Sequence, residues 1–160
     1  MKNCSFTGHR SIPQNHIKPL LALIERAVTY AYREGCRNFY TGGALGFDTM
    51  CAKTVLKFRL SNPDARLILV LPCKTQAERW SERQRSMYEY ILMSADEVIY
   101  TSEEYTNGCM RKRNEQLVKL CDILIAYSGR ESSGSAQTVR MAKTLNKIVY
   151  NLYGSAENAN

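Results

Sequence analysis

The chain has no apolar run of about 18 residues or more, so no segment is expected to cross a membrane as a helix. Its first residues, Met1-Lys2-Asn3-Cys4-Ser5-Phe6, lack the long apolar segment of a secretory signal, and a cytoplasmic location is expected. None of the six cysteines (Cys4, Cys36, Cys51, Cys73, Cys109, Cys121) forms a CxxC pair, and their spacing fits no zinc template. No metal site is legible. Most of the cysteines sit in apolar runs and are expected to be reduced packing residues. The Walker A pattern is missing. The dinucleotide fingerprint GxGxxG also fails, because Thr41 stands where its first glycine would be. The signatures of an ordinary P-loop enzyme and an ordinary NAD dehydrogenase are thereby excluded, and no motif requires a cofactor. Linkers, repeats and low-complexity tracts are absent too. In 160 residues that leaves one domain, residues 1–154, with 155–160 as a loose polar tail.

Hydrophobic residues make up 44% of the chain, an ordinary share for a packed domain. The formal charge is +7 and the sequence pI is about 9.2. Much of the excess falls in Arg79–Arg85 and Arg111–Arg113 rather than in a basic tail. That distribution favours a compact anionic ligand over non-specific coating of nucleic acid.

Strand and helix patterns alternate along the chain. Lys2–Thr7 reads as a strand. Leu20, Ile24, Ala27, Val28 and Ala31 recur at helical spacing, with Pro19 expected in the first turn and Gly35 as a left-handed cap. Asn38–Thr41 is a second strand, and Ala44–Leu60 a helix stopped by Asn62-Pro63-Asp64. Arg66–Leu71 is a continuous apolar run, as a strand buried on both faces requires. Helices are expected at Gln76–Met93, Gly108–Leu120 and Gly134–Leu145, and strands at Glu97–Tyr100, Asp122–Tyr127 and Lys147–Asn151. Six strands separated by five helices imply parallel crossovers. The expected fold is α/β: a Rossmann-like, doubly wound, mainly parallel sheet with helices on both faces.

In such a sheet a ligand binds outside the carboxyl ends of the strands. Those ends carry Thr7-Gly8-His9-Arg10, Thr41–Asp48, Pro72–Trp80, Thr101–Asn114 and Ser128–Ser135. Glycine, serine, threonine, arginine and asparagine are enriched there. Turns are made of the same residues, but four of the five ends share the bias. In Thr41-Gly42-Gly43-Ala44-Leu45-Gly46-Phe47-Asp48, a glycine-rich turn leads into a helix and aims backbone N–H groups at one point. Gly42 and Gly43 are expected to form a bare-backbone cradle. Asp48 either complements the helix dipole or binds a ribose hydroxyl. Arg10 can fork onto a phosphate. His9 is an acid–base candidate by pKa or a ligand contact, and His16 is expected at the surface.

Arg111, Lys112 and Arg113 crowd the start of a helix, where the macrodipole disfavours cations by roughly 0.3–1 kcal/mol each. A bound anion would reverse that cost; side chains swung into solvent would avoid it. Asn114 can bond a base edge or a ribose. Trp80, the single tryptophan, either packs on a helix, the commoner role, or stacks on a base.

Five stretches carry a resemblance: Phe6–Arg10 (FTGHR), Thr41–Asp48 (TGGALGFD), Leu71–Trp80 (LPCKTQAERW), Tyr105–Asn114 (YTNGCMRKRN) and Ser132–Val139 (SSGSAQTV). Together they resemble the SLOG superfamily of Rossmann-like proteins, which includes the LOG-type phosphoribohydrolases and DNA-processing protein A. Within it the chain is most similar to the small, single-domain YspA-like bacterial subgroup. The resemblance implies a nucleotide-derived ligand at the strand ends, a sensing role and a homodimer. LOG enzymes carry PGGxGTxxE with a central glutamate. The nearest stretch here, Ser133-Gly134-Ser135-Ala136-Gln137-Thr138, has neither the PGG nor the glutamate. DNA-processing protein A is similar in its Arg-Asn helix start and its SG(S/T) turn, and it has extra domains.

Three functions follow as expectations. The first is binding or sensing of a nucleotide such as an ADP-ribose- or NAD-like compound. Gly42, Gly43, Gly134 and Ser135 would hold phosphate, Arg10 and Arg113 would neutralise it, and Thr7, Asp48 and Asn114 would fix the sugar or base. Gly8, His9, Thr41, Gly46 and Ser133 complete the candidate set. The second is N-glycosidic hydrolysis of LOG type, with Asp48 the candidate catalytic carboxylate ahead of Glu103 and Glu104. The third is nucleic-acid binding through Arg79–Arg85 and Arg111–Arg113; it ranks last because no aromatic stacking platform is evident.

Overall fold

The computed structural model describes residues 2–130 and 132–159. Its strands are β1 (Lys2–Gly8), β2 (Cys36–Thr41), β3 (Arg66–Leu71), β4 (Glu97–Tyr100), β5 (Ile123–Tyr127) and β6 (Ile148–Asn151). Its helices are α1 (Gln14–Arg33), α2 (Phe47–Ser61), α3 (Glu82–Ser94), α4 (Cys109–Leu120), α5 (Gly134–Thr144) and α6 (Tyr153–Asn158). All the pairings are parallel, in the order β4-β3-β2-β1-β5-β6. This is the expected doubly wound sheet. The chain builds outward from β1 to β4, then crosses back to place β5 on the other side of β1. The order therefore reverses between β1 and β5, and a crevice opens at their carboxyl ends.

The period-2 geometry of a strand sorts the core into two layers. Leu67, Leu69 and Leu71 of β3, with Ile123, Ile125 and Tyr127 of β5, face α1, α2, α3 and α6. Ile68 and Val70 of β3 pack with Leu117 of α4, while Leu124 and Ala126 of β5 meet Val118, Val139 and Ala142 of α4 and α5. Every residue from Leu67 to Leu71 is buried, which explains the unbroken apolar run. Each large aliphatic side chain buried this way contributes about 1.5–3 kcal/mol. All six cysteines are buried and free. No helix among the described residues is long and apolar enough to cross a membrane.

Most boundaries fall within two residues of the expectations, and four departures have a structural consequence. α1 begins at Gln14, so Pro19 lies in its second turn rather than its first. α2 begins at Phe47, because Gly43 (φ 68°) and Gly46 (φ 77°) hold the preceding turn in left-handed backbone that no helix contains. α3 begins only after Ser81. The Ser81 Oγ accepts from the Gln84 N–H and the Gln84 side chain accepts from the Ser81 N–H, a reciprocal cap that outcompetes an earlier start. The segment from Ser155, expected to be loose, belongs to α6 as far as Asn158, and Ala156 is fully buried against the core. Gly35 (φ 105°) follows α1 in left-handed backbone, as expected.

Candidate functional site

The crevice beside β1 is a polar cavity of 320 Å³. The end of β1 supplies Thr7, Gly8, His9 and Arg10. α4 supplies Met110, Arg113 and Asn114, the start of α5 supplies Ser133, Gly134 and Ser135, and α2 supplies Asp48. Ten of the residues expected at a ligand site thus meet around one cavity. The N-termini of α4 and α5 open onto it, and such termini present unpaired N–H groups and the positive end of the dipole. Ser133 caps α5, its Oγ accepting from the Ala136 N–H at 3.1 Å.

Asp48 and Arg113 form the floor, each only 5% exposed. Arg113 donates through Nη1 to the Gly42 carbonyl and through Nε to the Asn114 side chain at 2.8 Å. Its Nη2 and the Nη2 of Arg10 both approach the Met110 sulfur at 3.7 Å. Asp48 Oδ2 accepts the Ala44 N–H at 3.2 Å, whereas Oδ1 is buried with no partner. Burial pushes the Asp48 carboxyl up to about 6; the Arg113 guanidinium, the Ala44 N–H and Arg10 pull it the other way. Burial likewise lowers Arg113, against the attraction of Asp48. Of the three cations expected to crowd this helix start, only Arg113 turns inward. Arg111 and Lys112 are exposed, and Arg111 pairs with Glu115 one turn on at 3.3 Å.

His9 closes the opposite wall. Its Nε2 accepts the Gly129 backbone N–H at 2.9 Å, and its Nδ1 lies 3.3 Å from Ser135 Oγ. Ser135 Oγ also reaches Ser133 Oγ and Ser128 Oγ at 3.1 and 3.2 Å. Since Nε2 is an acceptor, the neutral ring carries its proton on Nδ1 and donates to Ser135. A histidine in that tautomer does not activate the serine as a nucleophile. Burial, with Arg130 nearby, lowers the His9 pKa and favours this neutral form.

Thr41, Gly42, Gly43 and Gly46 stand apart from the polar cavity. Thr41 is fully buried and its Oγ1 bonds the Asp48 carbonyl at 3.4 Å. A side chain on Gly42 would collide with the Arg113 guanidinium, on Gly43 with Leu71, and on Gly46 with the Arg10 carbonyl. These glycines make room for the protein's own groups, so the bare-backbone cradle expected of Gly42 and Gly43 is already filled. Gly43 and Gly46 line a second cavity, mostly apolar, of 710 Å³, bounded by α1, α2 and α3. Arg10 and Asp48 belong to the walls of both cavities. Trp80 lines the apolar one and meets Tyr88 edge to face at 5.2 Å.

Two groups escaped the sequence. His16, expected at the surface, is buried with Nδ1 2.6 Å from the Tyr127 hydroxyl. Tyr153 packs against His9, His16 and Tyr127 and so backs the His9 wall. An aromatic residue just ahead of the polar tail was the only signal. Among the described residues, no group of three or more His, Cys, Asp or Glu side chains is arranged to hold a metal ion.

The SLOG pattern and this geometry agree with the family comparison, whose model matches residues 6–153. The chain belongs to the YspA SLOG family. The chain is similar to the uncharacterized SPbeta prophage-derived protein YoqJ of Bacillus subtilis, 31% identical over 136 residues that cover 78% of each chain. The SLOG fold recurs in DNA processing protein A (DprA) from Streptococcus pneumoniae, with a TM-score of 0.66 at 18% identity over 94% of this chain. DprA from Helicobacter pylori, described for its single-stranded DNA binding mode, gives 0.64 at 17% identity over 92% of this chain. The chain spans 50% of the first DprA and 63% of the second.

Proposed function

We propose that this SLOG chain binds a phosphorylated nucleotide-type ligand, of the ADP-ribose or NAD kind, in the polar cavity between β1 and β5, as a sensor or binding module. The observation that carries this reading is the buried, unpartnered Asp48 Oδ1 beside Arg10 and two open helix N-termini. An unpaired carboxylate oxygen in a low-dielectric wall costs free energy until a donor arrives. A sugar hydroxyl is such a donor, and the phosphate it carries would meet Arg10 and the N–H groups at Gly134 and Ser135. The first test is a thermal-shift panel of AMP, ADP-ribose, NAD and cyclic nucleotides, with chromatography to detect turnover. A ligand that stabilises the protein, stays intact and loses its effect in Arg10→Ala supports binding. A ligand that is consumed transfers the site to the hydrolase reading, with Asp48 as its carboxylate. No stabilisation by any compound sinks the proposal.

A second reading is nucleic-acid binding. It draws on the DNA mode described for the Helicobacter pylori protein and on the +7 charge, with Arg79, Arg83 and Arg85 exposed. It requires affinity for single-stranded DNA that falls steeply with salt and with removal of these arginines. Salt-insensitive or absent binding eliminates it.

A further inference from the structure

We propose that the apolar cavity beyond Arg10 and Asp48 receives the planar, uncharged base of a ligand whose phosphate and sugar occupy the polar cavity, an inference that rests on the nucleotide reading of that cavity.

Three observations converge. The cavities share Arg10 and Asp48 in their walls and so adjoin at those two residues. Asp48, whose Oδ1 is buried without a partner, is one of the two shared residues, and the ribose joining base to phosphate would bring its hydroxyl donors beside it. The apolar cavity is lined by Trp80, Met87, Tyr88 and Ile12, with Gln84 to address polar base edges. Apolar walls with a few polar groups are what a small-molecule subsite requires, and 710 Å³ is ample for a base. Aromatic and thioether groups suit a π-face of any base.

Charge decides between this occupant and a second copy of the chain. The charged residues in the cavity wall are Arg10, Arg83 and the buried Asp48. Two copies related by a twofold axis would bring cationic rims together, whereas an anionic nucleotide is drawn to them.

Trp80 is the chain's sole tryptophan, so its emission reports on this cavity alone. Wild-type protein is titrated with AMP and with ribose 5-phosphate, each followed by calorimetry and by Trp80 emission excited at the red edge of the band. The expected result is that both compounds bind, AMP about tenfold tighter, and only AMP changes the emission saturably. Met87→Ala is expected to weaken AMP several-fold while leaving ribose 5-phosphate unchanged. Equal affinities, or AMP binding with unmoved emission, overturn the base site and leave the polar-cavity reading standing. Failure of both compounds to bind overturns both. Emission that instead tracks protein concentration, with a dimer in sedimentation, assigns the groove to a second copy and overturns the inference.

Discussion

Arg113 of α4 donates to the main-chain carbonyl of Gly42 at the end of β2, and its guanidinium fills the space a side chain at position 42 would need. A residue expected to neutralise a phosphate is thereby a tie between two elements. It also sets the charge next to Asp48, which it attracts without satisfying the free Oδ1.

Arg113→Ala strands the Gly42 carbonyl and leaves Asp48 without its main compensating charge. A loss of about 2–4 kcal/mol in unfolding free energy is expected from urea denaturation at neutral pH. Gly42→Ala, which pushes on the same guanidinium, is expected to cost less, because the end of a long side chain can shift. Wild-type stability in Arg113→Ala would confine this residue to ligand contact.

Asp48 makes folding and binding depend on pH in opposite senses. Its carboxyl titrates at about 6 in the fold against 3.8 for the free group, so the folded state holds the proton more tightly. The stability this contributes is complete below about pH 4 and is lost as pH rises through about 6. Ionisation at neutral pH therefore opposes folding by up to about 3 kcal/mol. Asp48→Asn removes the dependence, and denaturation curves at pH 4.5 and 7.5 are expected to converge relative to wild type. Ligand affinity is expected to run the other way, rising through about pH 6 as the carboxylate becomes a stronger acceptor for a sugar hydroxyl.

The Gly129 N–H fixes the His9 tautomer with its proton on Nδ1. Nitrogen chemical shifts of His9 are expected to show that form at neutral pH. Because the His9 pKa is depressed, the stability it contributes is present above its ordinary value of 6.5 and is lost as pH falls through the folded value. A ring protonated on Nε2 at neutral pH would contradict the assigned hydrogen bond.

Tyr153 supports the His9 wall from α6, and a side chain at Gly129 would strike its ring. Tyr153→Ala is expected to cost about 2–4 kcal/mol by opening a partly buried cavity. It should also let the His9 pKa drift back toward 6.5 as water enters. Thermal unfolding and a histidine titration by NMR check the two effects separately.

Much of this architecture is legible in the chain. The apolar stretch Leu67–Leu71 suits a strand covered on both faces, and Glu97–Tyr100 falls where the alternation requires it. The polar cavity was readable because its residues cluster at the ends of β1 and β5 and at the starts of α4 and α5. The glycine turn was misleading for a physical reason: Gly42, Gly43 and Gly46 are forced by close approach of Arg113, Leu71 and Arg10, and sequence does not say whether a ligand or the protein fills a glycine's empty side. The starts of α2 and α3 were set by left-handed turns and by a reciprocal cap, local effects that override periodicity. The roles of Tyr153 and His16 depend on packing across more than a hundred residues of chain, which no local pattern encodes.

The central claim is that the crevice between β1 and β5 is the ligand site. Amide shift mapping of the ¹⁵N-labelled protein with AMP tests it most directly. The account predicts saturable shifts at His9, Arg10, Met110, Gly134 and Ser135. Shifts confined to the α4–α5 groove around Arg140 and Leu145, or to Arg79–Arg85, would place the ligand elsewhere and contradict it.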